Sequence, residues 1–204
     1  MIVELSIPGA FVYTPKQFGD ERGAFLEWFK DDAFVASTGH PLELAQANMS
    51  ISAAGVLRGI HFADVPPGQA KYVTCAKGAV LDVVVDIRVG SPTFGKWESV
   101  LLDDVERKCI YLAEGLGHAF LSLEDESTVV YLCSSGYAPD REHGIDPFDE
   151  EIGIEWPTTG RNGQELRYEL SAKDSGARSL SVVQESGLLP SYEDVTRYLR
   201  SLEK

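Results

Sequence analysis

The fold is decided by one stretch, Val80-Leu81-Asp82-Val83-Val84-Val85-Asp86-Ile87-Arg88. Every second residue from Leu81 to Ile87 is apolar, whereas the opposite face mixes valines with Asp82, Asp86 and Arg88. Alternation with a period of two predicts a β-strand, and this stretch has no helical interpretation. We therefore expect a strand with one wholly apolar face and one face that can carry polar groups.

Similar short strands are predicted on both sides of this stretch, at residues 2–5, 10–13, 24–29, 71–75, 97–102, 109–112, 118–123 and 128–132. Turns rich in Gly, Pro and Asp separate them. One such turn is predicted at residues 18–23, and Lys77-Gly78 predicts a hairpin into the central strand. Many short strands of this kind predict a mainly β jelly-roll sandwich or barrel, whose mixed faces line an interior cavity.

Two helices are predicted beside the strands. Residues 31–37 begin with two aspartates and are followed by Gly39, where a helix C-cap belongs. The last helix begins after Ser191, which with Asp194 resembles a capping box. We interpret residues 1–204 as a single domain with short flanking helices and a C-terminal helix at about 191–204.

Composition excludes several classes of protein. The 204 residues carry a formal net charge of −14, which argues against a nucleic-acid partner because phosphate binding needs a basic face. Cys75, Cys109 and Cys133 have no CxxC spacing, which favours a reducing, cytoplasmic location over a disulfide framework. The sequence has no signal-peptide pattern and no apolar run of about 18 residues, so we expect no membrane span.

A second stretch, Gly55-Val56-Leu57-Arg58-Gly59-Ile60-His61-Phe62, places an arginine and a histidine three residues apart. In a regular strand Arg58 and His61 would point to opposite faces. Gly59 is a residue at which the strand can bulge and bring both side chains to one face. A histidine beside a permanent cation is a candidate base for removing a proton next to a carbonyl.

Other chemistries lack the residues they need. A jelly-roll metal site usually takes two inward histidines at alternate strand positions, but Ala63 follows His61 at that spacing and His118 is unaccompanied. His40 and His143 lie in turn-like contexts. No nucleophile elbow and no glycine-rich phosphate loop is present. We therefore expect no metal site, no nucleophilic triad and no nucleotide hydrolysis.

The motifs resemble those of the dTDP-4-dehydrorhamnose 3,5-epimerase family, and of its actinobacterial members in particular. They span about residues 1–190 in order: Asp20-Glu21-Arg22-Gly23-Ala24-Phe25, Gln46-Ala47-Asn48, the stretch from Gly55 to Phe62, Gln69-Ala70-Lys71, the stretch from Asp82 to Arg88, Ser91-Pro92-Thr93-Phe94-Gly95, Gly117-His118-Ala119-Phe120 and Leu170-Ser171-Ala172-Lys173-Asp174.

This resemblance implies a cupin jelly roll and a homodimer with exchanged strands, with no metal or organic cofactor. It also implies a dTDP-4-dehydro-6-deoxy-D-glucose substrate that is epimerised at C3 and C5. It implies that His61 is the catalytic base, Tyr131 the general acid and Asp174 the partner of the histidine. The residues alone leave Asp82 as a rival partner, since it lies on a barrel strand. The implied substrate contacts are Arg22, Phe25, Glu27, Gln46, Ala47, Asn48, Arg58, Lys71, His118, Glu142 and Lys173.

The sequence departs from many family members at three places. Leu132 stands where many carry lysine, Gly136 replaces an aromatic residue before Tyr137, and Gly117-His118-Ala119-Phe120 differs from the commoner Ala-His-Gly-Phe order. These differences leave a 3-epimerase of the same substrate open as an alternative. A non-catalytic sugar-nucleotide-binding cupin is a further alternative, from a different functional class. A metal-dependent cupin oxygenase or isomerase is disfavoured by the lack of ligands.

Overall fold

The computed structural model describes residues 2–203. Strands β1 to β13 are Ile2–Glu4, Ala10–Tyr13, Gln17–Asp20, Gly23–Leu26, Gln46–Ser52, Leu57–Ala63, Lys71–Lys77, Ala79–Val85, Trp97–Asp103, Cys109–Leu112, Gly117–Ser122, Ser127–Cys133 and Glu142–Gly144. Helices α1 to α4 are Asp31–Thr38, Ala172–Ser175, Leu180–Glu185 and Tyr192–Leu202, and a short 3-10 helix spans Pro139–Arg141.

Two antiparallel sheets form the body of the protein. The six-stranded sheet has the order β1-β2-β10-β7-β12-β5, and the five-stranded sheet has the order β13-β6-β11-β8-β9. Strands β3 and β4 pair only with each other, as a separate hairpin. This architecture confirms the predicted mainly β jelly roll.

Strand β8 lies inside the five-stranded sheet between β11 and β9. It begins one residue before the predicted strand, at Ala79, and ends at Val85, three residues before the predicted end at Arg88. Val80 and Val84 pack between the two sheets, against residues such as Val73 of the opposite sheet. Val83 and Val85 pack on the other side, against the segment that contains α3. Both faces of β8 are therefore buried. Each fully buried valine stabilises the fold by about 1.5–3 kcal/mol.

The predicted hairpin at Lys77-Gly78 is wrong. Strand β7 belongs to the six-stranded sheet and β8 to the five-stranded sheet, so the chain crosses between sheets at this point. Gly78 has a φ of +80°, and a Cβ there would lie 2.7 Å from Ser127 Oγ. A glycine turn predicts where the chain reverses, but the packing of the sheets decides which partner each strand takes.

The predicted turn at residues 18–23 is correct only at its centre. Residues 18–20 belong to β3, and Glu21 with Arg22 forms the turn into β4. Strand β4 ends at Leu26, three residues before the predicted end. The hairpin projects away from the two sheets, so no buried face imposes an alternating pattern on its sequence.

The two predicted helices are confirmed. Helix α1 ends at Gly39 in the left-handed conformation, and the Ser191 side chain accepts a hydrogen bond from Asp194 N at the start of α4. Lys204, at the end of the predicted C-terminal helix, lies outside the described residues, as does Met1. Strand β13 and helices α2 and α3 are not predicted from the sequence, because they are too short to show a clear periodicity. No helix within residues 2–203 is long and apolar enough to cross a membrane.

Gly59 causes the predicted irregularity in β6. His61 lies opposite His118 and Arg58 lies opposite Phe120, so three steps along β6 correspond to two steps along β11. This bulge rotates Arg58 and His61 onto the same side of the strand, and both line one cavity. Gly59 has a φ of +115°, and a Cβ there would lie 2.5 Å from His118 O and 2.7 Å from Ala119 Cβ.

We predict that Gly59→Ala lowers the free energy of unfolding by about 2–4 kcal/mol. The added methyl group collides with the backbone of β11, and alanine is strained at the positive φ of this position. Urea denaturation followed by circular dichroism would measure this change. Gly19→Ala is the matched control, since its Cβ would meet nothing closer than 3.8 Å. Equal unfolding midpoints for the two variants would contradict the packing constraint at Gly59.

Candidate active site

A cavity of about 710 Å³ opens between the two sheets. Strands β5, β7 and β12 form one wall, β6 forms the opposite wall, and β13 and α2 contribute at the rim. Nine of the predicted site residues line it: Gln46, Asn48, Arg58, His61, Lys71, Tyr131, Glu142, Lys173 and Asp174. The jelly roll therefore brings together residues that are up to about 130 positions apart in the sequence.

His61 and Asp174 form a hydrogen-bonded pair in this cavity. The Nε2 atom of His61 lies 2.6 Å from Asp174 Oδ1. The carboxylate is buried, whereas 38% of the imidazole side chain is exposed. Asp174 is positioned by the first turn of α2, where its backbone N donates to Ser171 Oγ over 3.1 Å. The structure therefore selects Asp174 over Asp82 as the partner of His61.

The environment of Asp174 favours its charged form. Burial by itself would raise the pKa of this carboxyl group, but the hydrogen bond and charge of His61 act in the opposite direction. Hydrogen bonds from Ser171 and from Gly59 N add to this effect, and together they hold the pKa of Asp174 below its usual value. A carboxylate of this kind orients the imidazole ring and stabilises its protonated form.

Asp82 pairs instead with His118, deeper inside the barrel. His118 Nε2 lies 2.9 Å from Asp82 Oδ2, and both side chains are buried. His118 does not line the cavity, so the structure does not place it where the resemblance implied a substrate contact. The reason is the pairing of β11 with β8, which turns the imidazole towards Asp82.

Tyr131 lies on the wall opposite to His61. It belongs to β12 in the six-stranded sheet, whereas His61 belongs to β6 in the five-stranded sheet. Burial, followed by the neighbouring Cys133, raises the pKa of the Tyr131 hydroxyl. A phenol that stays protonated and faces a histidine across a cavity can supply a proton from the opposite side of a bound molecule.

Three cations line the cavity without an ion pair to any described residue: Arg58, Lys71 and Lys173. Arg58 donates from Nε to Ser52 Oγ over 3.3 Å. Burial lowers the pKa of Lys71, although nearby acidic groups act in the opposite direction. In a chain with a net charge of −14, such cations mark the cavity as a site for an anionic ligand or for negative charge that develops during a reaction.

Strand β5 contributes a row of polar side chains at every second position. Gln46 donates from Nε2 to Asn48 Oδ1 over 2.7 Å and accepts from Tyr137 N over 2.9 Å. Ala47 points to the other face, where it is exposed, so only its backbone could meet a ligand in this cavity. Ser50 shares the face of Gln46 and Asn48 and lines the cavity.

Several other residues line the cavity although the sequence predicts no role for them: Met49, Ser50, Gln69, Tyr137, Glu169 and Ser171. The period of two along β5 could have identified Ser50 from Gln46 and Asn48. Residues such as Tyr137 and Glu169 lie in irregular segments, where no periodicity indicates which side chains face inward.

Three predicted contacts lie away from the cavity: Arg22, Phe25 and Glu27. All three belong to the β3–β4 hairpin or the residues just after it. Arg22 forms an ion pair with Asp20, and 66% of Phe25 is exposed. The hairpin projects from the sheets, so these side chains cannot join the cavity of their own chain in this conformation.

Within residues 2–203, no group of three or more His, Cys, Asp or Glu side chains is arranged to hold a metal ion. The chemistry that this cavity offers is that of a base with a carboxylate partner, an acid on the opposite wall, and cations between them. Such an arrangement can remove a proton next to a carbonyl group, stabilise the resulting oxyanion and return a proton from the other side.

Comparison with known proteins agrees with this geometry. A family model described as dTDP-4-dehydrorhamnose 3,5-epimerase matches residues 4–181. The chain is 56% identical over 201 residues to a dTDP-4-dehydrorhamnose 3,5-epimerase from Mycolicibacterium smegmatis, and the alignment covers 98% of this chain and 96% of the relative. It is 54% identical over 188 residues to a dTDP-4-dehydrorhamnose 3-epimerase from Streptomyces niveus, which covers 92% of this chain and 87% of that protein.

A solved structure shares the fold. It is that of ChmJ, a 3'-monoepimerase from Streptomyces bikiniensis in complex with dTDP-quinovose. The two chains are 47% identical and superpose with a TM-score of 0.92 over 98% of each. Both the main expectation from the sequence and its 3-epimerase alternative are therefore represented among similar proteins.

Proposed function

This chain belongs to the dTDP-4-dehydrorhamnose 3,5-epimerase family, and on that premise we propose that it is an isomerase acting on dTDP-4-dehydro-6-deoxy-D-glucose. It inverts C3 and C5 and gives dTDP-4-dehydro-L-rhamnose. The observation that carries this proposal is the placement of the His61–Asp174 pair and of Tyr131 on opposite walls of one cavity.

His61 is the base. The ketone at C4 acidifies the hydrogens on C3 and C5, so a base of moderate strength can remove them. The Nε2 atom of His61 is directed at Asp174, which leaves Nδ1 as the ring nitrogen that takes the proton. Asp174 then stabilises the imidazolium ion that forms.

Lys71 and Arg58 stabilise the enolate. Removal of the proton moves negative charge onto the C4 oxygen, and this charge needs donors that are already in place. Both cations line the cavity without an ion pair to any described residue, so their charge is available to the substrate.

Tyr131 completes the inversion. A proton returned by His61 would restore the original configuration, so inversion needs a donor on the other face of the sugar ring. Tyr131 projects from the opposite sheet, and burial keeps its hydroxyl protonated. One proton leaves and one returns at each carbon, with no net oxidation or reduction, so the reaction calls for no redox cofactor.

The remaining cavity residues hold the nucleotide and sugar in this proposal. Gln46, Asn48, Glu142 and Lys173 contribute hydrogen bonds and charge along the walls and rim. A cytoplasmic location belongs to the same proposal, because the free and buried cysteines suit a reducing compartment.

The chain works as a homodimer that exchanges its hairpins. Arg22, Phe25 and Glu27 do not line the cavity of their own chain, and we infer that they reach the cavity of a second copy. There Arg22 would hold the diphosphate and Phe25 would stack on thymine. Edge strand β5 supports this assembly, because Met49 and Ile51 are each 65% exposed along an unpaired sheet edge.

Inversion at C3 alone is the second candidate. Relatives with 56% and 54% identity carry names that differ in the number of carbons inverted, so overall similarity does not choose between them. Gly136, which stands where many family members carry an aromatic residue, lies near Gln46 on the cavity wall.

We predict that the protein, incubated with dTDP-4-dehydro-6-deoxy-D-glucose in heavy water, introduces one deuterium at C3 and one at C5. Each inversion draws its new hydrogen from solvent, so nuclear magnetic resonance of the product counts the inverted carbons. Deuterium at C3 alone would establish the 3-epimerase, and its absence from both carbons would exclude both epimerases.

We predict that His61→Ala lowers the rate of deuterium incorporation by about 10²–10⁴-fold while dTDP binding, measured by calorimetry, largely survives. His143→Ala is the matched control, because His143 also pairs with an aspartate, Asp64, at 2.7 Å but does not line the cavity. Exchange at the wild-type rate in His61→Ala would refute the assignment of the base and favour a non-catalytic binding protein.

We predict that Arg22→Ala and His61→Ala, each inactive alone, restore about a quarter of wild-type activity when coexpressed. Half of a statistical mixture is heterodimer, and each heterodimer has one intact site if the hairpin serves the partner subunit. Separate tags allow the heterodimer to be purified and its activity measured. No recovery in the purified heterodimer would show that each hairpin serves its own chain.

A further inference from the structure

A buried carboxylate, Glu114, lies behind the end of β7 from which Lys71 enters the cavity. Lys71 is flanked in the sheet by Leu112 of β10 and Cys133 of β12. Glu114 follows Leu112 by two residues, and Ser134 comes directly after Cys133. The three strand ends therefore place Glu114, Ser134 and Lys71 at one edge of the six-stranded sheet.

A chain of hydrogen bonds connects Glu114 to the residue before Lys71. Ser134 Oγ donates to Glu114 Oε1 over 2.7 Å and accepts from Ala70 N over 2.8 Å. Ser134 N also donates to Ala70 O over 3.1 Å. The carboxylate thus holds the serine hydroxyl in the orientation that fixes the backbone at Ala70.

Packing alone does not explain Glu114. Its exposed fraction is 2%, it forms no ion pair with any residue in 2–203, and its Oε2 atom has no hydrogen-bond partner among them. A buried carboxylate with an unsatisfied oxygen lowers the stability of the fold relative to an apolar side chain. A residue that lowers stability in this way calls for a functional explanation.

The electrostatic surroundings of Lys71 point to that explanation. Burial lowers the pKa of its ammonium group, and four groups oppose this effect: Cys133 on β12, Glu142 on β13, Glu114 behind β7 and Asp82 on β8. The other charged or titratable groups of the same cavity are Arg58, His61, Tyr131, Tyr137, Glu169, Lys173 and Asp174. On its other side Glu114 is faced by His40, Tyr111 and Tyr198. Glu114 differs from Glu142 in lying outside this cavity, where a bound substrate does not contact it.

We propose that Glu114 is a positioning residue for Lys71, whose carboxylate anchors the Ala70–Lys71 backbone through Ser134 and balances the positive charge of the ammonium group. The catalytic part of this proposal rests on the proposed function, because Lys71 is there the donor to the enolate oxygen. A donor that loses its charge or moves by about 1 Å stabilises the enolate less well.

We predict that Glu114→Gln lowers kcat/KM by about 10- to 100-fold and moves the alkaline limb of its pH profile to lower pH. The amide oxygen can still accept from Ser134, so this variant removes the charge and keeps the anchor. Glu98→Gln is the control, because it also removes one carboxylate but lies on β9 against Ser6, outside the cavity. An unchanged pH profile in Glu114→Gln would overturn the charge-balancing role.

A second measurement does not depend on catalysis. The titration of Lys71 can be followed by nitrogen-15 resonance of labelled lysine, with Lys71→Arg to identify its signal. We expect the Lys71 ammonium to lose its proton at lower pH in Glu114→Gln than in the wild type. If Lys71 titrates at the same pH in Glu114→Gln and in the wild type, the charge-balancing proposal is wrong, whether or not the protein is active. If the wild type shows no deuterium exchange, the proposed function is wrong, and this is a separate result.

Ser134→Ala tests the anchor. It removes the link to Ala70 and leaves the carboxylate in place, so kcat/KM should fall while the alkaline limb stays at its wild-type position. If Ser134→Ala shifts the alkaline limb of the pH profile as far as Glu114→Gln does, then the backbone contact and the charge of Glu114 do not have separate effects. Wild-type kcat/KM in a folded Ser134→Ala variant would refute the anchor itself.

Discussion

The close approach of β6 and β11 at Gly59 is the constraint on which the rest of the site depends. There is no room for a Cβ between Gly59 and the backbone of β11, so the strand can bulge only because this residue is glycine. The bulge turns Arg58 and His61 to one side. It also brings Gly59 N to 3.5 Å from the Asp174 carboxylate. One backbone irregularity thus positions Arg58, His61 and a backbone N–H that contacts Asp174, the partner of His61.

The two sheets divide the chemistry between them. The five-stranded sheet provides the His61 side of the cavity, and the six-stranded sheet provides Lys71 and Tyr131. An inversion needs a base and an acid on opposite faces of a planar enolate, and a cavity between two sheets supplies two opposed walls. The apolar contacts between the sheets, such as those of Val84 and Ile110, hold the walls at a fixed separation.

Several buried polar groups lower stability in favour of this arrangement. Asp82 has one carboxylate oxygen without a partner among the described residues, and so does Glu114. Both act electrostatically on Lys71 from outside the cavity wall. A core built only for stability would carry apolar side chains at these positions, because an unsatisfied buried oxygen is costly. The two carboxylates that lower the stability of the core are thus the same ones that oppose the lowering of the Lys71 pKa by burial.

The sequence alone determined the mainly β class, the path of β8, both predicted helices and the role of Gly59, because each depends on a local rule of periodicity, capping or backbone freedom. The motifs also identified nine residues of the cavity. Tertiary structure decided the rest. It showed that β7 and β8 lie in different sheets and that the Arg22 hairpin lies away from its own cavity. It also decided between Asp174, which the family resemblance implied as the partner of His61, and Asp82, which pairs with His118. These facts concern which distant segments meet, and local patterns of periodicity, capping or backbone freedom carry no information about that choice.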